Sequence, residues 1–132
     1  MATPRRPIPG FVPKTPPVTS ASIASVTDAH TVVVIHFWAA WNGADLPMDE
    51  RLSCIAGRLP FKAHFTSCNV DDFECIDLCK RCGVANIPHL AVFVDGELRP
   101  GIMGLLDVDD IVSQLTDSAL EPQSPRPWWR IW

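Results

Sequence analysis

The stretch that decides the fold is Thr31–Ala39, which reads Thr-Val-Val-Val-Ile-His-Phe-Trp-Ala. It is rich in β-branched residues and almost continuously apolar, which is the pattern of a strand covered on both faces. Asn42 or Gly43 can cap a helix directly after it, and Asp45 then falls in the first turn. These residues predict a central strand followed at once by a helix.

The chain continues with a second strand and a second helix. Four apolar residues share one face of the first helix before Pro60 ends it: Leu52, Ile55, Ala56 and Leu59. Phe61–Val70 predicts the second strand. Asp71 or Asp72 can cap the second helix, which ends in a basic turn before Gly83. Strand, helix, strand and helix in this order predict a parallel crossover unit.

The pattern changes after residue 88 to an antiparallel pair. His89–Val94 and Glu97–Met103 are two strand-like runs joined by Asp95-Gly96, a strong hairpin signal. A last helix can begin at Asp107 or Asp109, and its apolar stripe is Val108, Ile111, Val112 and Leu115.

Several motifs resemble those of the thioredoxin family. Phe37-Trp38-Ala39-Ala40-Trp41 is similar to the family's Phe-Trp-Ala-x-Trp strand end, and Asn69-Val70-Asp71 to its Val-Asp strand end. Ile87-Pro88 stands where the family has its cis-proline, and Gly104 matches a family glycine. The resemblance covers residues 20–117 and implies an α/β, three-layer fold in which helices flank a central mixed sheet.

Proline divides the chain into three predicted segments. We expect an extended, Pro-rich arm over residues 1–19, a thioredoxin-like domain over 20–118 and a Pro- and Trp-rich docking tail over 119–132. A cleavable targeting segment is the alternative for the arm, which has three basic residues and no acid before Asp28.

The chain departs from the family at the residues that carry its chemistry. Asn42-Gly43-Ala44-Asp45 lies where the family has Cys-Gly-Pro-Cys, and His36 lies where it buries an acid. Disulfide exchange needs an attacking thiolate and a resolving thiol. The resemblance thus implies a degenerate site at Asn42, Asp45 and His36, with no catalytic residue and no cofactor. Asn42 and Asp45 then act as helix caps, and His36 as a hydrogen-bonded, half-buried histidine rather than a pH switch.

The resemblance also implies a peptide-binding edge. Trp41, Ile87 and Pro88 are the predicted binding residues there, because the family pairs extended peptides with the backbone beside its cis-proline. His89, where the family often has Thr, can crowd that edge. A peptide-binding chaperone or assembly factor is therefore one alternative function.

Three cysteines share one face of the second predicted helix: Cys75, Cys79 and Cys82. We favour packing thiols, since cysteine is a good small core residue. The first alternative is a non-standard thiol redox protein or sensor that uses these three cysteines. The second is a metal site, with Cys68 or His64 as the fourth ligand.

The tail carries the predicted docking residues Trp128, Trp129, Arg130 and Trp132. Tryptophan and arginine are the residues most enriched in binding hot spots. We expect the tail to dock on other protein subunits of a large complex. Contact with a membrane interface and folding back on the chain's own domain are the alternatives.

Composition excludes several classes of protein. With 15 acidic residues against 11 Lys and Arg, the chain has no global basic field to hold nucleic acid. Its apolar runs are too short to cross a bilayer. Five cysteines without regular spacing indicate a reducing, intracellular compartment, either the mitochondrion or the cytoplasm.

Together these observations predict a redox-inactive accessory subunit rather than an enzyme. The expected setting is a large multi-protein assembly, specifically a mitochondrial respiratory-chain membrane complex.

Overall fold

The structure is a computed structural model that describes residues 11–120. The elements are α1 (Ile23–Ala29), β1 (Val32–Trp38), α2 (Asp45–Ile55), β2 (His64–Asn69), α3 (Ile76–Arg81), β3 (His89–Val94), β4 (Glu97–Met103) and α4 (Val108–Leu120), with 3₁₀ turns at Ala56–Arg58 and Phe73–Cys75. The predicted tail residues Trp128, Trp129, Arg130 and Trp132 lie outside the described residues.

The sheet has four strands in the order β2-β1-β3-β4. Strand β1 pairs in parallel with β2 and antiparallel with β3, and β3 pairs antiparallel with β4. All seven residues of β1 are buried. The predictions of a central strand, a parallel crossover and a hairpin are therefore confirmed.

Helices cover both faces of the sheet and create two cores. Val34, Leu90 and Ile102 project from the sheet into a core that α2 and α4 complete with Leu52, Ile55, Ile111 and Leu115. On the other face, Ile35, Phe37 and Phe93 pack with Leu78, Cys68 and Cys75. Full burial of such a side chain stabilises the fold by about 1.5–3 kcal/mol. The three-layer α/β fold with a central mixed sheet is confirmed.

The turns follow the residues that permit them. Asp95 and Gly96, at φ 51° and 77°, join β3 to β4, and Gly104 has φ 89° at the end of β4. Left-handed backbone of this kind is most accessible to glycine, with Asp and Asn next. The Ile87–Pro88 peptide bond is cis, as the resemblance implies.

Two local expectations differ from the structure. The second predicted helix is divided, because the Asp72 carboxylate accepts a hydrogen bond from the Glu74 N–H at 3.0 Å and stabilises a separate 3₁₀ turn before α3. Helix α1 was not predicted; its short segment offers only a weak apolar pattern, and Ile23 is its one buried residue.

The described part of the arm runs along the outer edge of β2. Pro17 forms a parallel bridge with Ser67. The Ser67 N–H donates to the Pro16 carbonyl at 2.9 Å, and the Val18 N–H donates to the Ser67 carbonyl at 2.8 Å. The arm therefore shields backbone groups at this edge of the sheet. No helix among residues 11–120 is both long and apolar enough to cross a membrane.

Gly101 leaves room for a buried histidine on the neighbouring strand. A Cβ at Gly101 would stand 2.8 Å from His89 Nε2, whereas a Cβ at Gly57 would meet nothing within 4 Å. The His89 ring cannot easily move aside, because it is buried and packs edge-on against Phe37 with centroids 5.8 Å apart.

We predict that Gly101→Ala lowers the free energy of unfolding by about 1–3 kcal/mol, because overpacking displaces His89. Gly57→Ala is the matched control and should change it little. Urea unfolding of both variants measures the difference. Equal effects at the two glycines would contradict this account, and His89→Ala should relieve the penalty at Gly101 in a double-mutant cycle.

Candidate functional site

The tip of α2 is held to β1 by one buried carboxylate. Asp45 Oδ1 lies 2.9 Å from His36 Nε2, and both side chains have no exposed surface. Asp45 Oδ2 accepts hydrogen bonds from the Ala39 N–H and from Asn42 Nδ2, each at 3.0 Å. The carboxylate therefore faces three donors and joins the end of β1, the following turn and the helix.

This network differs from the helix caps predicted for Asn42 and Asp45. The residue before α2 is Ala44, and it provides no side-chain cap. Asn42 instead uses its side-chain amide on Asp45, which turns back toward the strand. His36 is hydrogen-bonded as expected, but it is fully buried rather than half-buried, because β1 is covered on both faces.

A groove lies between the α2 tip, α3 and the loop before Pro88. Its volume is about 420 Å³, and its lining includes Trp41, Asn42, Val70, Ile76, Cys79 and Ile87. The Trp41 Nε1–H donates to Asp71 Oδ2 at 2.8 Å, which fixes the indole at the rim. The structure thus brings the predicted binding residues Trp41 and Ile87 together. Pro88 itself is buried, and its carbonyl accepts from the Gly104 N–H at 2.9 Å.

Three thiols converge behind this groove. Cys68 projects from β2, Cys75 ends the 3₁₀ turn and Cys79 lies one helical turn further along α3. Cys68 and Cys75 are 1% and 2% exposed, whereas Cys79 is partly exposed and lines the groove. All three are free thiols. The groove therefore gives access to one thiol with two more behind it.

Burial governs the protonation of these thiols. It raises the pKa of Cys68, and the neighbouring thiols of Cys75 and Cys79 raise it further. Burial also raises the pKa of Cys79, although contact with the Cys68 thiol partly opposes that rise. Cys82 lies near Cys79, and burial raises the pKa of its thiol to about 11. At neutral pH the protonated thiol therefore predominates at each of these cysteines, and the thiolate is a minor fraction.

The metal site proposed from Cys75, Cys79 and Cys82 is not supported. No group of three or more His, Cys, Asp or Glu side chains among residues 11–120 is placed to hold a metal ion. His64, one conceivable fourth ligand, begins β2 and stacks on His30 with ring centroids 3.8 Å apart. Cys68 lies near the other end of that strand.

Sequence reasoning did not identify Cys68 as a redox partner. Helical spacing connects Cys75 and Cys79, but Cys68 precedes them on a strand. Its proximity to Cys75 and Cys79 depends on how α3 packs on the sheet. Cys68 lies opposite Phe37 of β1 and faces the core that also contains Cys75.

Comparison with known proteins identifies the family. The thioredoxin family model matches residues 17–117, most of the chain. This chain belongs to the thioredoxin family. Mitochondrial thioredoxin 3 of Saccharomyces cerevisiae, in its oxidized form, superposes on this thioredoxin-family chain with a TM-score of 0.68 and 25% identity, covering 78% of this chain and 94% of that one.

Related sequences come from plants and bacteria. Monothiol glutaredoxin-S17 of Arabidopsis thaliana is 30% identical over 113 residues, 82% of this chain and 22% of that protein. Thioredoxin C-2 of Corynebacterium nephridii is 37% identical over 79 residues, 57% of this chain and 68% of that protein. Two chloroplastic M-type thioredoxins are also similar. This chain spans 22% of the length of the plant glutaredoxin and 44% of the length of each plant thioredoxin. Chloroplast, mitochondrial and bacterial proteins thus occur among the relatives, which do not determine one compartment.

These comparisons correct the functional expectation. The relatives are thioredoxins and a glutaredoxin, which are redox-active proteins, and thioredoxins are disulfide oxidoreductases. The prediction of a redox-inactive accessory subunit in a respiratory-chain membrane complex is therefore wrong, and so is the prediction that the chain is not an enzyme. That prediction gave most weight to the tip of α2, whereas the relatives favour the alternative of a thiol redox protein or sensor over a redox-inactive subunit.

We predict that Asp45→Ala lowers the free energy of unfolding by about 3 kcal/mol or more, because it leaves two buried donors and the half-buried amide of Asn42 without their acceptor. Asp117→Ala, at an exposed position of α4, is the control and should change it by less than about 0.5 kcal/mol. Chemical denaturation monitored by tryptophan fluorescence provides the measurement. Similar losses in both variants would refute the assigned role of Asp45.

Proposed function

We propose that this chain is a thiol–disulfide redox protein whose reacting sulfurs are Cys79, Cys68 and Cys75. Asn42-Gly43-Ala44-Asp45 replaces the family's cysteine pair in this proposal. The observation that carries it is the position of Cys79, which opens on the groove beside Trp41 and Ile87 while two buried thiols lie behind it.

The tip of α2 has no part in the exchange. Asn42 has an amide that cannot form a mixed disulfide, and the carboxylate of Asp45 is engaged by three donors inside the protein. Cys54 is also unsuitable, because it is exposed on α2 and has no second thiol behind it among the described residues. Cys79 is the sulfur that combines access with neighbouring thiols.

The reaction follows from this arrangement. The Cys79 thiolate attacks one sulfur of a substrate disulfide, so that a mixed disulfide forms and the other substrate sulfur leaves as a thiolate that takes up a proton. The thiolate of Cys68 or Cys75 then attacks Cys79 Sγ and releases the second substrate thiol. The protein is left with one internal disulfide, which an external dithiol reduces.

The Cys68 thiol has a further role in the first step. It contacts Cys79 and lowers the pKa that burial has raised, because a hydrogen bond from S–H stabilises a neighbouring thiolate. Persistence of the three reduced thiols calls for a reducing compartment, so an intracellular location is part of this proposal.

We predict that Cys79→Ser abolishes catalysed reduction of insulin disulfides by dithiothreitol, leaving a rate within about twofold of the uncatalysed reaction, because serine cannot attack a disulfide. Cys54→Ser is the matched control and should retain the full rate. Turbidity of the insulin B chain gives the readout. Full activity of Cys79→Ser would sink the proposal.

The Cys79→Ser variant also distinguishes the peptide-binding alternative from disulfide exchange. A chaperone that uses the edge beside Ile87 needs no sulfur, so it would bind unfolded polypeptide equally well with Ser at position 79. Equal binding by both proteins, with no exchange by either, would favour that alternative.

We predict that the rate of exchange at Cys79 rises with pH up to and beyond 9.0, the ordinary pKa of its thiol. Burial raises that pKa, and the thiolate is the reacting form, so each step toward higher pH increases the reactive fraction. Stopped-flow reaction of the Cys54→Ser variant with an aromatic disulfide measures the profile, with N-acetylcysteine as the reference thiol. A rate that levels off below pH 9.0 would contradict the raised pKa.

A further inference from the structure

The arm covers the cluster of Cys68, Cys75 and Cys79 on the side away from the groove. The Cys75 S–H donates to the Val18 carbonyl with an S···O distance of 3.6 Å. A cavity of about 140 Å³ lies between arm and domain, and its lining includes Val12, Pro17, Trp38 and Cys75. Cys75 is therefore shielded by the arm rather than by the sheet alone.

Besides Cys75, two residues of the domain hydrogen-bond to residues 12–18 of the arm. The Lys14 N–H lies 3.1 Å and 3.3 Å from the two carboxylate oxygens of Asp49 on α2. Ser67 makes the second attachment: its hydroxyl donates to the Thr15 carbonyl at 3.0 Å, and its backbone bonds to Pro16 and Val18. Residues 12–18 thus contact the domain through a few hydrogen bonds and through the buried side chains of Pro13 and Val18, of which Val18 joins the core on that face of the sheet. Their regular pairing with the sheet is limited to one bridge, and segments with little regular pairing open locally.

Asp49 depends on the arm for its hydrogen bond. It is only 3% exposed, and the bonds from Lys14 N–H are the only ones that the described residues make to its carboxylate. Without that donor the carboxylate is left unpaired in the closed state, and water reaches it only when the arm leaves. Burial of Val18 and Pro13 also holds the arm closed. The bond from Lys14 N–H is therefore one of the contacts that stabilise the closed arm.

We propose that residues 12–18 form a displaceable strap that controls access to Cys75. With the strap closed, disulfide exchange enters only through Cys79, and Cys75 serves as an internal thiol. With the strap open, Cys75 meets solvent and reacts directly. This inference rests on the proposed function for its consequence in exchange, but the gating itself is a property of thiol access.

The test compares two substitutions at one exposed residue. Lys14→Pro removes the N–H that binds Asp49, whereas Lys14→Ala removes the same side chain and keeps that donor. The full chain is pulsed with iodoacetamide under native conditions, and mass spectrometry gives the alkylation rate at each cysteine. The rate at Cys54 measures the reactivity of an exposed thiol with the reagent. The rate at Cys68 measures global unfolding, because that thiol is buried.

We expect Cys75 to react about tenfold faster in Lys14→Pro than in the unaltered chain, because a hydrogen bond to a charged group is lost. The rates at Cys79, Cys54 and Cys68 should stay within about twofold, and Lys14→Ala should behave as the unaltered chain. Asp49→Ala, which removes the acceptor, should reproduce the effect.

Three outcomes would overturn the proposal that residues 12–18 control access to Cys75. Cys75 could already react as fast as Cys79 in the unaltered chain, its rate could stay unchanged in both Lys14→Pro and Asp49→Ala, or Cys68 could accelerate in parallel with it. The readout needs no turnover, so inactivity of the chain in the insulin assay would reject the proposed function without touching this result.

Discussion

Strand β1 has no face that meets water, since all seven of its residues are buried. Burial on both faces forces a layer of helices onto each side of the sheet, and it places the polar side chain of His36 in the interior. A buried imidazole needs a hydrogen-bond partner, which Asp45 supplies from the first turn of α2. The position of the helix tip therefore follows from the burial of the strand before it.

The Asp45 network and the cluster of Cys68, Cys75 and Cys79 lie on opposite sides of one groove. The network is closed: its carboxylate is satisfied by protein donors, and its contribution is to hold the turn that carries Trp41 and Asn42. Within the cysteine cluster behind the other wall, Cys79 lines the groove. In the proposed exchange, α3 and β2 supply the sulfurs, while the Asp45 network holds the opposite wall of the groove.

The arm adds a boundary on the opposite side of the thiols. Its prolines limit the conformations it can adopt, which reduces the entropy lost when it lies along β2. Its backbone hydrogen bonds to the sheet are few, in contrast to those of β1, whose pairing with two neighbours runs along its whole length. In the proposed strap, access to Cys75 thus depends on contacts other than the strand pairing of β1.

Some features could be predicted from local pattern alone. The apolar run of β1, the Asp95-Gly96 turn and the stripe of α4 carry their own periodicity or turn chemistry, so their element types were evident. The division of the α3 region by the Asp72 cap was less evident, because Asp71 and Asp72 are equally good caps for one longer helix. The absence of cysteine at positions 42 and 45 was also plain, yet the inference drawn from it was wrong.

The sequence by itself determined the order of the strands and of the helices after β1, the burial of β1 and the residues available for chemistry. Only the tertiary structure decided which of those residues meet: Asp45 with His36, Cys68 with Cys75 and Cys79, and the arm with Asp49. The physical reason is that periodicity depends on neighbours along the chain, whereas these contacts depend on how α2 and α3 pack against the sheet, across separations that no local pattern encodes.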